Sequence, residues 1–217
     1  MVNYDGESGF EFLTPNSIKE GIERLRLIER IARVCYLSHD KMTETSYITF
    51  VKMLIERGHY AMLEHGGYIS VLITCDRAIA NELVRHRLAS YAQVSTRYVN
   101  FANQKFGHEI TVICPVELKA HDKLLDRQLW RDSCDLAEKT YFQLVERGVS
   151  PQNARSVLPL SLQTQIVISA NAVEWRHIFE QRTSKYAHPD MRAVMKPILR
   201  DMRVLIPILF DNVGEPI

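Results

Sequence analysis

The sequence predicts a helix-rich α+β fold, and three observations carry that expectation. Most amphipathic stretches repeat their apolar residues at i, i+3 and i+4, the spacing of one helix face. A few short stretches alternate apolar and polar residues, the spacing of a strand. The two kinds do not follow one another as regular βαβ units, so a doubly wound parallel sheet is not expected. The 217 residues suit one domain. No internal repeat, low-complexity tract or Gly/Ser/Pro-rich linker divides them, so residues 1–217 read as a single folding unit.

Ser17 with Glu20 forms a capping box, which opens a helix running to about residue 39 with Ile22, Leu25, Ile28, Ile31 and Ala32 as its apolar stripe. A second helix is expected from about Thr45 to Arg57, stopped near Gly58. From Tyr68 to Cys75, Ile69, Val71, Ile73 and Cys75 face one way while Ser70 and Thr74 face the other, as in a half-buried strand. Asp76 then caps a helix from about Arg77 to Leu88. Glu109 to Cys114 reads as a short strand before Pro115, and residues 120 to 147 as a long helix ending at Gly148. Ser150 with Pro151 restarts a short helix. Leu162 to Ala170 is β-branched enough for a strand. Two last helices are expected over Asn171 to about Lys185 and Pro189 to about Leu209, the second bent near Pro197 and Pro207.

Composition excludes several classes of function. Lys+Arg 27 against Asp+Glu 26 leaves a formal charge of +1, which gives no general attraction to nucleic acid or to an anionic membrane. Any anion must be held by locally gathered arginines. Cys35, Cys75, Cys114 and Cys134 lie far apart with no CxxC, so neither a zinc ribbon nor a disulfide staple is expected; they read as small buried hydrophobes in a reducing cytosol. The N-terminal MVNYDGESGFEF has no basic and apolar regions of a signal peptide, and no apolar run approaches the ~20 residues of a membrane span, so a soluble cytoplasmic protein is expected. There is no GxGxxG, no P-loop, no HExxH and no zinc-deaminase signature. A nucleotide bound here would rest on side chains more than on a glycine loop, and no metal site is expected.

The most unusual stretch is Arg85 to Tyr98, which gathers three arginines, two serines, two tyrosines, a histidine and a glutamine in fourteen positions. On the helix expected before it, Glu82, Arg85 and His86 share one face by i,i+3 and i,i+4 spacing, and Ile79, Leu83 and Leu88 take another. Guanidinium forks suit phosphate, carboxylate and imide oxygens, and serine hydroxyls add short bonds to phosphate. A glutamine amide both donates and accepts at a heterocycle edge, and a tyrosine offers a flat surface. These chemistries fit a phosphorylated heterocycle. On composition alone a solvated, salt-bridged surface loop accounts for the stretch equally well.

Arg85-His86-Arg87, seven residues, then Ser95 resembles the signature motif of the flavin-dependent thymidylate synthases, with Arg97 and Tyr98 following as in that family. The resemblance extends upstream to Leu63-Glu64-His65 and downstream to Asn153-Ala154-Arg155-Ser156-Val157-Leu158-Pro159-Leu160, to Asn171-Ala172, and to the RTSKYAHPDMR stretch that begins at Arg182. In all it spans roughly residues 20 to 205. It implies a small central, mostly antiparallel sheet within a single helix-rich domain, and a homotetramer with active sites at subunit interfaces. It further implies reductive methylation of dUMP to dTMP, with 5,10-methylenetetrahydrofolate as one-carbon donor and FAD, reduced by NADPH, as hydride source.

Carried residue by residue, the resemblance implies that Glu82, Leu83, Val84, Arg85, Gln93, Val94, Ser95, Thr96 and Arg97 line the dUMP site. Ser95, Arg97 and Arg155 would hold the phosphate. Arg182 would stand against the uracil edge as the catalytic residue, where a fixed cation favours ionisation at N3. For FAD it points to Gly67, Arg85, His86, Arg87, Gln93, Asn171, Ala172, Val173 and His177, with His65 positioning flavin or folate. Taken alone, His65 has the alternative reading of a buried histidine satisfied by backbone and His177 that of a helix-surface residue, while Arg155 and Arg182 read as surface ion pairs that only the family alignment elevates. Ser95 lacks a recognisable base nearby in sequence, so it reads as an orienting residue and not a nucleophile.

Three positions depart from the family pattern: Glu82 where an amide is common, Gly67 where a hydroxyl residue is common, and His188 where Gln is usual. Glu82 and Gly67 are the features that would suit a relative that binds nucleotide without turning it over. A phosphate-gripping nucleic-acid module would need a wider basic stripe. A hydrolase using His59, His65 and His86 would need a metal-ligand spacing that these residues lack.

Overall fold

The structure, a computed structural model, describes residues 1–214. Its strands are β1 (Asn3–Gly6), β2 (Gly9–Thr14), β3 (Ile69–Asp76), β4 (Ser90–Gln93), β5 (Thr111–Ile113) and β6 (Gln163–Ala170). Its α-helices are α1 (Ile18–Ala32), α2 (Ser46–Glu56), α3 (Arg77–Leu83), α4 (Leu124–Glu146), α5 (Pro151–Ala154), α6 (Ala172–Arg182) and α7 (Pro189–Leu205). The expected helix-rich α+β class with a small antiparallel sheet is what the chain adopts. That sheet has the order β2–β3–β6–β4, and a separate parallel pair sets Asn3 of β1 opposite Thr111 and Gly6 opposite Ile113 of β5. The chain divides into two compact units. One comprises Met1–Gly9, Ile73–Arg85 and Ala92–Ile166; the other comprises Phe10–Leu72, His86–Tyr91 and the chain from Val167.

In the first unit, Val2, Ile110, Val112, Cys134 and Leu162 form an apolar cluster, with Tyr4, Phe101, Trp130 and Leu158 packed on it. The Tyr4 hydroxyl donates to the Arg131 carbonyl at 2.9 Å and to Asp135 Oδ1 at 2.8 Å, which ties the N-terminal strand to α4. Asp76 caps α3 by accepting from the Ile79 N–H at 2.7 Å. The Arg77 N–H donates to the Leu160 carbonyl at 3.0 Å and the Leu162 carbonyl at 3.1 Å, so the first turn of α3 is fixed beside the chain entering β6.

The second unit is built on helix packing. Ser17 caps α1, accepting from the Glu20 N–H at 3.4 Å, and the Glu20 carboxylate returns to the Asn16 N–H at 3.0 Å. Glu29, fully buried, pairs with Arg33 at 2.7 Å and accepts from the Ser46 hydroxyl at 2.9 Å, joining α1 to the start of α2. Trp175 of α6 is also fully buried, and its Nε1 donates to the Ile69 carbonyl of β3 at 2.9 Å.

Several expected boundaries move. The first helix ends at Ala32 and not near residue 39, since Arg33–Tyr36 tightens into a 3-10 turn and Leu37 takes a left-handed φ of 45°. Helix α4 starts at Leu124 after the 3-10 turn His121–Lys123, and α6 ends at Arg182. Helix α7 keeps Pro197 inside it and stops at Leu205, before Pro207. Helix α3 ends at Leu83, well short of Leu88, because the chain must leave it to form β4 beside β6. Leu88, expected on the apolar helix face with Ile79 and Leu83, is 76% exposed in consequence. Strands β1, β2 and β4 carry no strong apolar alternation and were not expected. The cysteines are all free, but only Cys75 and Cys134 are buried, and Cys35 is exposed. Among the described residues no helix is long and apolar enough to cross a membrane.

Candidate active site

Within the first unit, the loop after β4 is shaped by its own backbone. The Val94 N–H donates to the Gln165 carbonyl of β6 at 3.0 Å, and the Ser95 carbonyl accepts from the Tyr98 and Val99 N–H groups at 3.1 and 3.0 Å. The Ser95 hydroxyl accepts from the Arg97 N–H at 3.3 Å. Among the described residues no histidine or carboxylate is bonded to that hydroxyl. Thr96 is buried, and its Oγ1 accepts from Arg155 Nη1 at 3.2 Å. Gln93 donates to Thr164 Oγ1 at 3.4 Å.

Arg155 and Thr96 share a cleft of about 240 Å³ with Arg77, Ser156, Leu158, Pro159, Leu160 and Leu162. Arg77 lines the same cleft, and its Nη1 donates to the Val94 carbonyl at 3.4 Å. Burial, and then the neighbouring Arg155 charge, lower the pKa of Arg77 from its ordinary value. Two like charges converge, and among the described residues neither has a carboxylate within ion-pair distance. Such a pair is at its lowest energy with an anion between them. The cleft is smaller than the roughly 300–1,000 Å³ of a pocket for a drug-sized molecule. Arg77 was absent from the residues expected at the site. The available signal was electrostatic: a cation in the first turn of α3 opposes the helix dipole, so its place there is poor for stability alone.

The salt-bridged loop that composition allowed is not what forms. Arg85, Arg87 and Arg97 are exposed, and among the described residues none is paired with a carboxylate; Arg97 lies over the Tyr98 ring at 5.7 Å. The shared helical face expected for Glu82, Arg85 and His86 is also absent, since α3 ends before the last two. Leu83 is fully buried, so only its backbone can face a ligand, whereas Val84 is 40% exposed.

A second cluster lies within the other unit. His86 is 5% exposed, and its Nε2 accepts from Arg182 Nε at 2.9 Å. The Tyr91 hydroxyl donates to the His86 carbonyl at 2.7 Å. The His177 ring meets that of His86 edge-on, with centroids 5.6 Å apart, and Glu174 Oε1 is 3.8 Å from His86 Nδ1. Burial, then the Arg182 charge and His177, push the imidazole pKa down to about 4. His86 is therefore neutral at pH 7, and its approach to Glu174 is not an ion pair. Burial raises the Tyr91 hydroxyl to about 12, so it stays a donor.

Asn171 caps α6 with its Oδ1, accepting from the Glu174 N–H at 2.9 Å, and gives its Nδ2 to Glu64 Oε2 at 3.3 Å. Ala172 is buried, Val173 half-buried and His177 exposed. His65, in the 3-10 stretch Tyr60–Gly66, is exposed, so it is not a buried structural histidine. Two family departures gain a physical reason. Gly67 has a φ of +82°, and a Cβ there would stand 3.0 Å from Arg24 Nη1, which is fixed on the Gly66 carbonyl. His188 caps α7 through Nδ1, accepting from the Asp190 N–H at 3.3 Å. Among the described residues no three His, Cys, Asp or Glu side chains converge as a metal site requires.

The family described as Thymidylate synthase complementing protein matches residues 19–208. A flavin-dependent thymidylate synthase from Geobacter sulfurreducens is 32% identical over 189 residues, 84% of this chain and 79% of that protein. One from Mycolicibacterium vanbaalenii is 29% identical over 203 residues, 86% of this chain and 78% of that protein. The crystal structure of a UMP/dUMP methylase, PolB from Streptomyces cacaoi, bound with 5-Br dUMP, matches with a TM-score of 0.75 and 20% identity over 96% of this chain and 95% of that one. At that identity the likeness speaks for the fold alone. A family match through nearly the whole chain, joined to a relative 32% identical across most of it, places this protein: it belongs to the thymidylate synthase complementing protein family, the flavin-dependent thymidylate synthases.

Proposed function

We propose that the protein converts dUMP to dTMP, taking the one-carbon unit from 5,10-methylenetetrahydrofolate and using FAD reduced by NADPH. The observation that carries this reading is the pair of guanidiniums of Arg77 and Arg155 in one small cleft without a carboxylate partner among the described residues. That cleft adjoins the Ser95–Arg97 loop of the family's motif through the bond from Arg155 to Thr96. The nucleotide phosphate binds there, held by Arg155 and Arg77, with Ser95 and Arg97 orienting it. Glu82, Val84, Arg85, Gln93 and Val94 line the nucleoside part, with Leu83 contributing backbone only. Arg182 stands against the uracil edge, where its charge stabilises the N3 anion and makes C5 more nucleophilic.

The donor set suits a flavin dinucleotide. Arg85 and Arg87 are exposed and, among the described residues, unpaired with carboxylates, as pyrophosphate binding needs. Gln93, Asn171, Val173 and His177 offer accessible edges for a ring, whereas Gly67 and Ala172 contribute backbone. His65 is accessible for positioning flavin or folate. When bound and reduced by NADPH, FAD would supply the hydride that completes the methyl group, leaving the folate as tetrahydrofolate.

Both compact units serve one catalytic domain, since the family match runs through both. The working form is a homotetramer with active sites at subunit interfaces. Leu88, Tyr98 and Tyr186 are 76%, 79% and 87% exposed, apolar surface that an assembled subunit would cover. The protein acts in the cytoplasm on small molecules, without nucleic acid or membrane. A visible spectrum and an NADPH-oxidation assay test the proposal. Flavin absorption and oxidation that depends on dUMP are expected; a colourless protein that ignores added FAD would rule it out.

A further inference from the structure

His86 belongs to the Arg85-His86-Arg87 motif, and the resemblance assigns that motif to flavin. Its imidazole is bonded to Arg182. The ring is 5% exposed and its Nε2 lies 2.9 Å from Arg182 Nε. An arginine Nε always carries hydrogen, so it can only donate. His86 Nε2 must therefore be unprotonated, with the ring's one proton on Nδ1, on the side of Glu174. Glu174 Oε1 is 3.8 Å away, too far for a direct hydrogen bond but close enough to favour that tautomer. The Tyr91 hydroxyl fixes the histidine's own backbone at 2.7 Å, and the His177 ring closes the side of the imidazole.

We propose that His86 is the positioning residue of Arg182: a neutral imidazole that accepts from the arginine's inner nitrogen and so sets the plane and direction of its guanidinium. The proposal rests on the reading of Arg182 as the residue at the uracil edge. It assigns His86 to the orientation of that arginine and not to direct contact with flavin. Protonation would abolish the arrangement, because two donors and two like charges would then face each other. Burial beside Arg182 and His177 keeps the ring neutral through the neutral range.

The test compares holoenzyme variants His86→Phe, His86→Asn and His86→Gln. Phenylalanine keeps the ring volume without an acceptor. Asparagine places its amide near the Nδ1 position, out of reach of Arg182, whereas the glutamine oxygen can stand in for Nε2. Loss of an acceptor for a charged donor predicts that kcat falls about 10- to 100-fold in His86→Phe and His86→Asn, with bound flavin retained and KM for dUMP little changed. His86→Gln should recover most of that loss. Crystal structures of the variants provide a readout that does not depend on turnover: the Arg182 guanidinium should be displaced in His86→Asn and in place in His86→Gln. Loss of flavin in step with activity would overturn the proposal, as would a His86→Gln as impaired as His86→Asn, or an Arg182 unmoved in both. If the wild-type protein makes no dTMP, the reading of the reaction fails, and the crystal structures still decide the positioning role.

Discussion

If Arg155 grips the phosphate, Arg155→Ala should raise KM for dUMP about 10- to 100-fold, the cost of a charge-assisted hydrogen bond. Binding of deoxyuridine, which has no phosphate, should be unaffected; steady-state kinetics and a competition assay with the nucleoside check both halves. For His86 the sign of the pH effect follows from its depressed pKa, about 4 against an ordinary 6.5. As pH falls below about 6.5 the unfolded chain takes the proton first. Stability present above that pH is then lost progressively down to about 4, by up to about 3 kcal/mol. Urea unfolding at pH 7 and pH 4.5 should show this decline, and His86→Gln should show less of it. Arg155, Arg182 and Ser95 were legible in the sequence only through the family motif, since each alone resembles an ordinary surface residue. Arg77 was not legible, because its significance lies in Arg155, which the fold brings to the same cleft from a distant segment.

At the scale of elements, Gly21 decides how closely α1 approaches the end of α7. A Cβ at residue 21 would lie only 1.9 Å from the Leu205 carbonyl oxygen, so backbone and not a flexible side chain would have to shift. Gly21→Ala should therefore destabilise the protein by about 1–3 kcal/mol despite alanine's better helix propensity, and lower its thermal midpoint. An unchanged or higher midpoint would mean that the two backbones are not held that close. Local signals read these elements well where they act alone. The Ser17–Glu20 box starts α1, Asp76 and Asn171 cap α3 and α6, and the alternation through Ile69, Val71, Ile73 and Cys75 describes the buried face of β3. Signals failed where a distant partner decides. Strand β4 has a weakly amphipathic sequence and exists because β6 pairs with it, which is also why α3 stops at Leu83.

For the whole molecule, a soluble assembly of four chains is expected, and multi-angle light scattering during gel filtration should give that mass; a monomer active in dTMP synthesis would contradict shared sites. The wide family match explains why the fold class and the family could be read from one sequence: the motif residues are spread through the chain, so their joint presence constrains nearly all of it. The most direct measurement is mass spectrometry of the products formed by purified protein from dUMP, 5,10-methylenetetrahydrofolate and NADPH, with and without FAD. dTMP together with tetrahydrofolate is expected, both dependent on flavin. Unconverted dUMP in the presence of bound flavin, or dTMP accompanied by dihydrofolate, would contradict it.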